Sequence, residues 1–325
     1  MIMDRGDVTI SPTETGGSGW GGRLAVTSGG NVVALTPAPR RFCYGPHPHN
    51  PNLHDNSQLI PAADTRNIGL YKPPAGYSTT HPRSRLSRSL EAYYAAKRAV
   101  TNKNSVYWRF FEHEQKLREF GEMIDIRLAT VPLPGAISSL YSGASPTLVS
   151  GGFGKQIRNL YDSLACNDIL DLRVASLEYN GWDSHKSQKS LIEPKLEDMF
   201  GDGKGFDTLY NELPSDAKQN LTLVISGEFG RQLRANGDAG TDHGRGNAII
   251  LVGEQVRGGV YGEMFPQTEL PKLGASSPDI DGLTDIDHVF GAACDWVQSG
   301  AGGIVFPGRA SAPIEGGVSL GALFS

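Results

Sequence analysis

Apolar positions along this chain follow two rhythms, separated by stretches with neither. Residues 1–82 are rich in Gly, Pro, Asn, Thr and Ser and hold only short apolar runs such as "GNVVALT", which predicts loops around one or two short strands. From "PRSRLSRSLEAYYAAKRAV" through "FFEHEQKLREFGEMIDIRLATV" apolar residues return at three- and four-residue steps: Leu86, Leu90, Tyr93 and Tyr94, then Phe110, Leu117, Phe120 and Ile124. That spacing predicts two helices broken near "TNKNS". The Pro/Gly/Ser-rich "TVPLPGAISSLYSGASPTLVSGG" reads as a long connection, the kind of loop that edges a site, ahead of a helix at "FGKQIRNLYDSLAC".

After that the pattern alternates between strand and helix. "ILDLRVASLEY", "LTLVISGEF" and "NAIILVG" read as strands, with helix in "EPKLEDMFGDGKGFDTLYNELPSDAKQ" between the first two. Their apolar runs suit strands covered on both faces, so the expected fold class is α/β, a mostly parallel sheet with crossover helices. "VRGGVYGEMF" reads as a small hairpin, and "TDIDHVFGAACDWVQSG" as a helix beginning at a Thr or Asp cap. The expected organisation is one domain: a loop-rich segment 1–82, then 83–325 with a helical region 83–130 and a sheet core 150–300.

Composition narrows the partners. A chain of 325 residues accommodates one large α/β domain or two ordinary ones. A formal charge of -5 shows no basic excess, so no nucleic-acid partner is expected. No run of about 18 apolar residues occurs, so no membrane span is expected. The first residues lack the apolar centre of a secretory signal. Cys43, Cys166 and Cys294 are odd in number and in no C-x-x-C pair, which argues for buried thiols over disulfides or a cysteine zinc site. The chain has no G-x-S-x-G elbow, phosphate loop or dinucleotide fingerprint, so serine-hydrolase, nucleotide-triphosphatase and nicotinamide chemistry drop out.

In an open α/β sheet, functional groups gather beyond the carboxyl ends of the strands. Three candidates lie there. Asp183 and His185 follow the first strand, and in extended backbone residues i and i+2 project to the same side, so both can reach one cation. Glu228 and Arg231 follow the second strand in "ISGEFGR"; Asp242 and His243 stand in "AGTDHGRG", a glycine-flanked loop before the third. Carboxylates with two imidazoles make a mixed oxygen and nitrogen set that suits zinc, manganese or iron. Arg231 has a planar fork that matches an oxyanion. Against these stand plainer readings: a hydrogen-bonded Asp-x-His loop, a local Glu228–Arg231 ion pair, and a turn capped by Asp242. His47, His49, His54 and Asp55 form a second histidine-rich stretch in a proline-rich loop, where solvent-facing side chains are the expectation, and His288 reads as a helix-face residue.

"GWDSH", "SGEFGR" and "GTDHG", in that order and each beside a strand, resemble the marks of an uncharacterised bacterial family, the domain of unknown function fifteen-oh-one, a sulfatase-like branch of the alkaline phosphatase superfamily. "RGGVYGE" resembles its Gly-Gly-x-Tyr-Gly turn, and "GSGWGGRLA" its Gly-Trp-x-x-Arg segment. The resemblance implies an αβα sandwich with metal ligands at strand ends. Asp183, His185 and His243 would resemble the ligands of one metal, and Glu228 would occupy the place of an acidic ligand of a second. From the residues themselves, Asp242 is a further expected metal ligand, Arg231 the expected catalytic group on the oxyanion, and zinc or manganese the expected divalent metal. Members also use an amino-terminal aspartate and a Ser, Thr or modified Cys nucleophile, which have no counterpart here. The chain therefore resembles a member incomplete at its amino-terminal side, with exposed sheet edges that a second copy or a partner chain would cover. Relatives are exported to the periplasm. Three functions follow as expectations: a metal-dependent hydrolase of phosphate or sulfate esters acting on a small anionic ester, a non-catalytic relative serving as a binding or scaffold module, or an enzyme of sugar esters.

Overall fold

"NVVA" is short, β-branched and wholly apolar after its first residue, the composition of a strand with no solvent face. In the computed structural model it is the centre of the fold. The structure describes residues 17–50, 53–67, 80, 82–142, 148–149, 152–263, 267–276, 278–279, 284–307 and 323–325. Their elements run α1 (Trp20–Ser28), β1 (Asn31–Ala34), β2 (Gly45–Pro46), β3 (His54–Asp55), β4 (Leu59–Pro61), α2 (Pro82–Val100), α3 (Val106–Thr130), α4 (Gly135–Ser139) and α5 (Phe153–Ala165). Next come α6 (Asn167–Leu170), β5 (Leu172–Ser176), α7 (Gln188–Phe200), α8 (Gly205–Glu212), α9 (Ser215–Gln219) and β6 (Leu223–Ser226). The last are β7 (Gly230–Ala235), β8 (Thr241–Gly244), β9 (Ile249–Val252), α10 (Ile286–Val297) and α11 (Ala301–Val305).

β1 pairs in parallel with β4 on one side and β5 on the other, with Val32 opposite Leu59 and Val174. Its side chains alternate between two cores. Val33 and the following Leu35 join Ile124, Leu128, Ile137, Leu140, Phe153 and Ile157 of α3, α4 and α5. Val32 and Ala34 join Leu24, Phe290, Cys294, Val305 and Phe306 of α1, α10 and α11. Helices thus cover both faces of the sheet, which is why this strand shows no polar alternation.

Two anchors fix those layers. Trp20 stacks on Phe290 with centroids 4.9 Å apart and meets Phe42 edge-on at 4.8 Å. Three residues on, the buried Arg23 donates from Nε to the Val305 carbonyl at 2.9 Å and from Nη1 to the Ser18 carbonyl at 2.9 Å. The Gly-Trp-x-x-Arg segment is therefore a clamp joining α1 to α11. Gly22 is small because the chain crosses it closely: a Cβ there would stand 2.2 Å from the Tyr44 carbonyl carbon. On the other face Asp162, fully buried in α5, accepts from Thr65 Oγ1 at 2.7 Å and from Arg66 at 3.0 and 2.8 Å, which satisfies its charge and ties the chain after β4 to the helix.

The expected single parallel sheet is corrected in its second half. β6 and β9, the strands of "LTLVISGEF" and "NAIILVG", form a separate antiparallel pair, and β7 with β8 form another. The structure is mixed α/β with a three-stranded parallel sheet and small antiparallel ladders. The reason is that an apolar run encodes burial and carries no strand direction: the β7–β8 excursion reverses the chain, so β9 returns alongside β6. Val224 still points into one core and Ile225 into the other, which leaves β6 between the same two helical layers. The small hairpin expected in "VRGGVYGEMF" is also corrected: of the residues described there, Val256 bridges Phe324 and Arg257 to Glu263 are irregular. The two helices of 83–130 appear as α2 and α3, and α10 starts at Ile286 behind Asp285, whose side chain makes no capping bond. Cys43, Cys166 and Cys294 are buried, as expected. No helix among the described residues is long and apolar enough to cross a membrane.

Candidate metal centre

The segment that leaves β5 is bolted down before it reaches the first candidate ligands. Gln156 of α5 clamps Glu178 at both ends, accepting from its backbone N–H and donating to its carbonyl, each at 2.7 Å. Tyr179 stacks on Phe153 at 4.9 Å, and Trp182 meets Tyr179 edge-on at 5.9 Å. The Gly181–Trp182 pair thus has a structural role: Gly181, at φ +87°, turns the chain and Trp182 pins it to the core. The next three residues alternate as extended backbone requires. Ser184 is buried while Asp183 and His185 are exposed on the opposite side.

The other half of the site is a hairpin. Asp242 and His243, expected in a loop, lie on β8, and Arg231 lies on β7 directly opposite His243. The hairpin's tip is organised by Asn236, whose Oδ1 accepts from the backbone N–H groups of Asp238 at 3.0 Å and Gly240 at 3.1 Å. The tip pairs with the ligand segment through a bridge between Lys186 and Ala239. Gly240 is obligatory for this approach, since a Cβ there would meet the His185 carbonyl carbon at 2.2 Å.

At the centre, His243 Nε2 lies 2.9 Å and His185 Nε2 3.1 Å from Asp183 Oδ1, and the two imidazole nitrogens are 3.2 Å apart. Two ligand atoms about 2.05 Å from one tetrahedral ion stand roughly 3.3 Å apart, so three atoms at these separations have the dimensions of one coordination sphere. Asp183, His185 and His243 each offer a ligand atom within 4.8 Å of the others, and no further such group occurs among the described residues. The donor set, one carboxylate and two imidazoles, suits zinc or manganese.

Around this trio the remaining residues act as supports. Asp242 Oδ1 is 3.1 Å from His185 Nδ1, so the carboxylate faces the ring nitrogen turned away from His243 and Asp183. Asn236 Nδ2 donates to that same Asp242 oxygen at 3.3 Å and to the His185 carbonyl at 2.9 Å. Arg231 donates to Asp183 Oδ1 at 2.6 Å, to the Trp182 carbonyl at 3.1 Å and to the Thr241 carbonyl at 2.7 Å. Phe229 stacks on the His243 ring with centroids 3.8 Å apart, and Arg231 lies over the other ring, 5.0 Å from the Phe229 centroid. Asp183 is held below the usual carboxylate range, chiefly by its bond to His243 and then by Arg231; Asp242 is lowered chiefly by Asn236 and then by His185. Both therefore remain anionic at neutral pH, the form a metal takes.

The remaining candidates fare differently. Arg231, expected on an oxyanion, has both terminal nitrogens engaged by the protein. Glu228 is exposed in the bend between β6 and β7, outside the ligand trio. His47, His49, His54 and Asp55 form no ligand group among the described residues: His49 N–H donates to His47 Nδ1 at 3.2 Å, and His54 packs on Tyr44. His288 is buried in α10, as a helix-face residue. Phe229 and Asn236 went unpredicted; for Asn236 the signal was present, because Asn-Gly is a favoured dipeptide of a tight hairpin turn.

Residues 170–270 match the family described as Protein of unknown function (DUF1501). That stretch contains all of Asp183, His185, Arg231, Asn236, Asp242 and His243 and runs from the end of α6 past β9. No curated protein and no solved structure matches the chain.

Proposed function

We propose that Asp183, His185 and His243 hold one divalent cation, zinc or manganese, and that the chain is a metal-dependent hydrolase of phosphate or sulfate esters. The observation that carries the proposal is the convergence of one carboxylate and two imidazoles, from segments about 60 residues apart, at coordination-sphere separations. Three protein ligands leave coordination positions open, the arrangement of catalytic rather than structural zinc sites. When bound, such an ion polarises a phosphoryl or sulfuryl oxygen and acidifies a coordinated water. The chain's own residues set the stage for that chemistry. Asp242 keeps the proton of His185 on Nδ1 and so leaves Nε2 as a donor to the metal. Arg231 offsets the charge of Asp183 and fixes its rotamer, a positioning role in place of the substrate contact expected from sequence.

The trio is about half exposed, so an ester on a larger molecule could reach it. Beside it, between the start of α7 and the tip of the hairpin, Ser187, Lys189, Ser190, Glu193 and Ala239 line a depression of about 260 Å³. The alkaline phosphatase-like sandwich and the periplasmic setting belong to the same proposal, supported by helices on both faces of the β4–β1–β5 sheet and by the resemblance of the motifs.

Elemental analysis of the purified protein, beside His185→Ala and His243→Ala, tests the metal: about one zinc or manganese per chain in the parent and loss in both variants is expected. A metal-free parent under added zinc and manganese would overturn the site. A panel of aryl phosphates and aryl sulfates tests the reaction. Turnover abolished by His185→Ala supports hydrolysis, and metal binding without turnover on either class favours the binding-module reading.

A further inference from the structure

We infer that Asn180 is a site of spontaneous covalent modification: with age it closes onto Gly181 as a succinimide and reopens chiefly as isoaspartate, which displaces the ligand segment that follows. Two Asn-Gly pairs frame the candidate metal centre, Asn180–Gly181 ahead of Asp183 and Asn236–Gly237 at the hairpin tip. Asparagine before glycine is prone to this ring closure, because glycine has no Cβ to shield its nitrogen.

The two pairs stand in opposite surroundings. Asn236 is locked: its Oδ1 accepts from the N–H groups of Asp238 and Gly240, and its Nδ2 donates to the His185 carbonyl and to Asp242, so its carboxamide cannot turn onto Gly237. Asn180 is exposed, and among the described residues no hydrogen bond holds its carboxamide or the Gly181 N–H. Lys195 of α7 then supplies activation. Its ammonium donates to the Asn180 carbonyl at 3.0 Å and is steadied over the Tyr179 ring, 4.6 Å from the centroid. That carbonyl and the Gly181 N–H belong to one peptide unit. When the nitrogen loses its proton, the negative charge is shared with the carbonyl oxygen, where the cation sits. Glycine is also required there, since at φ +87° a side chain would be strained and a Cβ would stand 3.1 Å from Lys195 Nζ. The turn that carries the chain to Asp183 thus has the reactive pair built into it.

The atoms balance with water as the only co-reactant. A solvent base takes the Gly181 proton, the nitrogen attacks Asn180 Cγ, an N–C bond forms, and the bond from Cγ to the side-chain nitrogen breaks as ammonia leaves. Water then opens the ring. Addition at the main-chain carbonyl carbon breaks its bond to Gly181 N and leaves isoaspartate, with the chain routed through Cγ; addition at Cγ leaves aspartate. Nothing is oxidised or reduced. Isoaspartate lengthens the main chain by one methylene between two anchors, Tyr179 stacked on Phe153 at 4.9 Å and Trp182 packed on the core. Asp183 follows Trp182 directly, so the added length shifts Asp183 Oδ1 from the 2.9 and 3.1 Å it keeps to His243 and His185. That consequence rests on Asp183 as a metal ligand, as proposed above; the modification itself does not.

Peptide mapping of the full chain as it ages at mildly alkaline pH, with electron-transfer fragmentation to separate isoaspartate from aspartate, tests the chemistry without reference to metal. In the folded chain Asn180 should convert roughly 10-fold faster than Asn236 or more, and the two rates should converge in urea. Lys195→Met should slow Asn180 about 10-fold, the low end of what a hydrogen bond to a charged group contributes, and Lys195→Arg should restore the parent rate. An intact Asn180, or equal rates at both asparagines in the folded chain, overturns the inference; a Lys195→Met rate equal to the parent removes the activation. A zinc titration of fresh and aged samples tests the consequence. Affinity should fall about 10-fold or more in the modified fraction and hold steady in aged Asn180→Gln, whose longer side chain cannot close a five-membered ring. Undiminished affinity in the modified chain breaks the link to Asp183. A fresh parent that takes up no zinc refutes the metal reading, and the mass result alone then decides the modification.

Discussion

The support given to His185 offers the sharpest test of the metal site. Asp242 Oδ1 lies 3.1 Å from Nδ1 of His185, on the side of the ring away from Asp183 and His243. An anionic acceptor there holds the proton on Nδ1 and the lone pair on Nε2, where a cation would bind. Losing such a supporting carboxylate costs roughly 10–100-fold in metal affinity. Asp242 is 55% exposed, so water takes over part of its role, and the lower half of that range, roughly 10–30-fold for Asp242→Ala, is the expected loss. Asp242→Asn keeps a neutral acceptor and should lose less. A competition titration against a fluorescent zinc chelator at fixed pH measures both, and nitrogen NMR of the imidazoles reports where the His185 proton sits. Two outcomes refute the reasoning. Affinity equal to the parent would show that the carboxylate supports nothing. A loss as complete as that of His243→Ala would make Asp242 a ligand.

Four further outcomes follow from the same geometry. Gly240→Ala drives a Cβ into the His185 backbone, so it should destabilise the fold by about 1–3 kcal/mol and weaken zinc binding together; unchanged zinc affinity would contradict that close approach. Asp162→Ala leaves Arg66 without its buried partner and should cost about 3 kcal/mol in a urea titration, with less than 1 kcal/mol refuting the role of the pair. Burial pushes the Cys166 thiol up to about 11, so a thiol reagent at pH 8 should leave it silent until the chain is denatured. In the metal-free protein Asp183 titrates below its unfolded value, so its small contribution to stability is present above the ordinary carboxylate range, about 3.9, and fades as pH falls through the lower folded value. His243→Ala should move that titration upward more than Arg231→Ala does, as followed by carboxyl carbon NMR.

What the chain discloses about its fold depends on the range over which each signal acts. The three- and four-residue steps from Leu86 to Ile124 are local, and they yield α2 and α3 with the break where it was expected. The strands at 172–176, 223–226 and 249–252 are legible for the same reason. Their pairing is not: Ile249–Val252 would read identically in either direction, and only the β7–β8 reversal decides that it runs against β6. The "GNVVALT" run announces a strand but not that it becomes the central one, because its partners Leu59 and Val174 lie 27 and 142 residues further on.

The site divides along the same line. Asp183 and His185 share a side because the pleat has a period of two, which any reader of the sequence can apply. Their meeting with His243 rests instead on the register of one short hairpin, in which Arg231 stands opposite His243. A slip of one residue in that pairing would turn every β8 side chain over, withdrawing His243 from the cluster and presenting Asp242 in its place. The register is held at the tip by Asn236, which binds its own turn through Oδ1 and reaches the His185 carbonyl and Asp242 through Nδ2. The least conspicuous polar residue of the hairpin therefore decides whether three distant ligands form one site, and its Asn-Gly signal is written in the sequence even though its consequence is not.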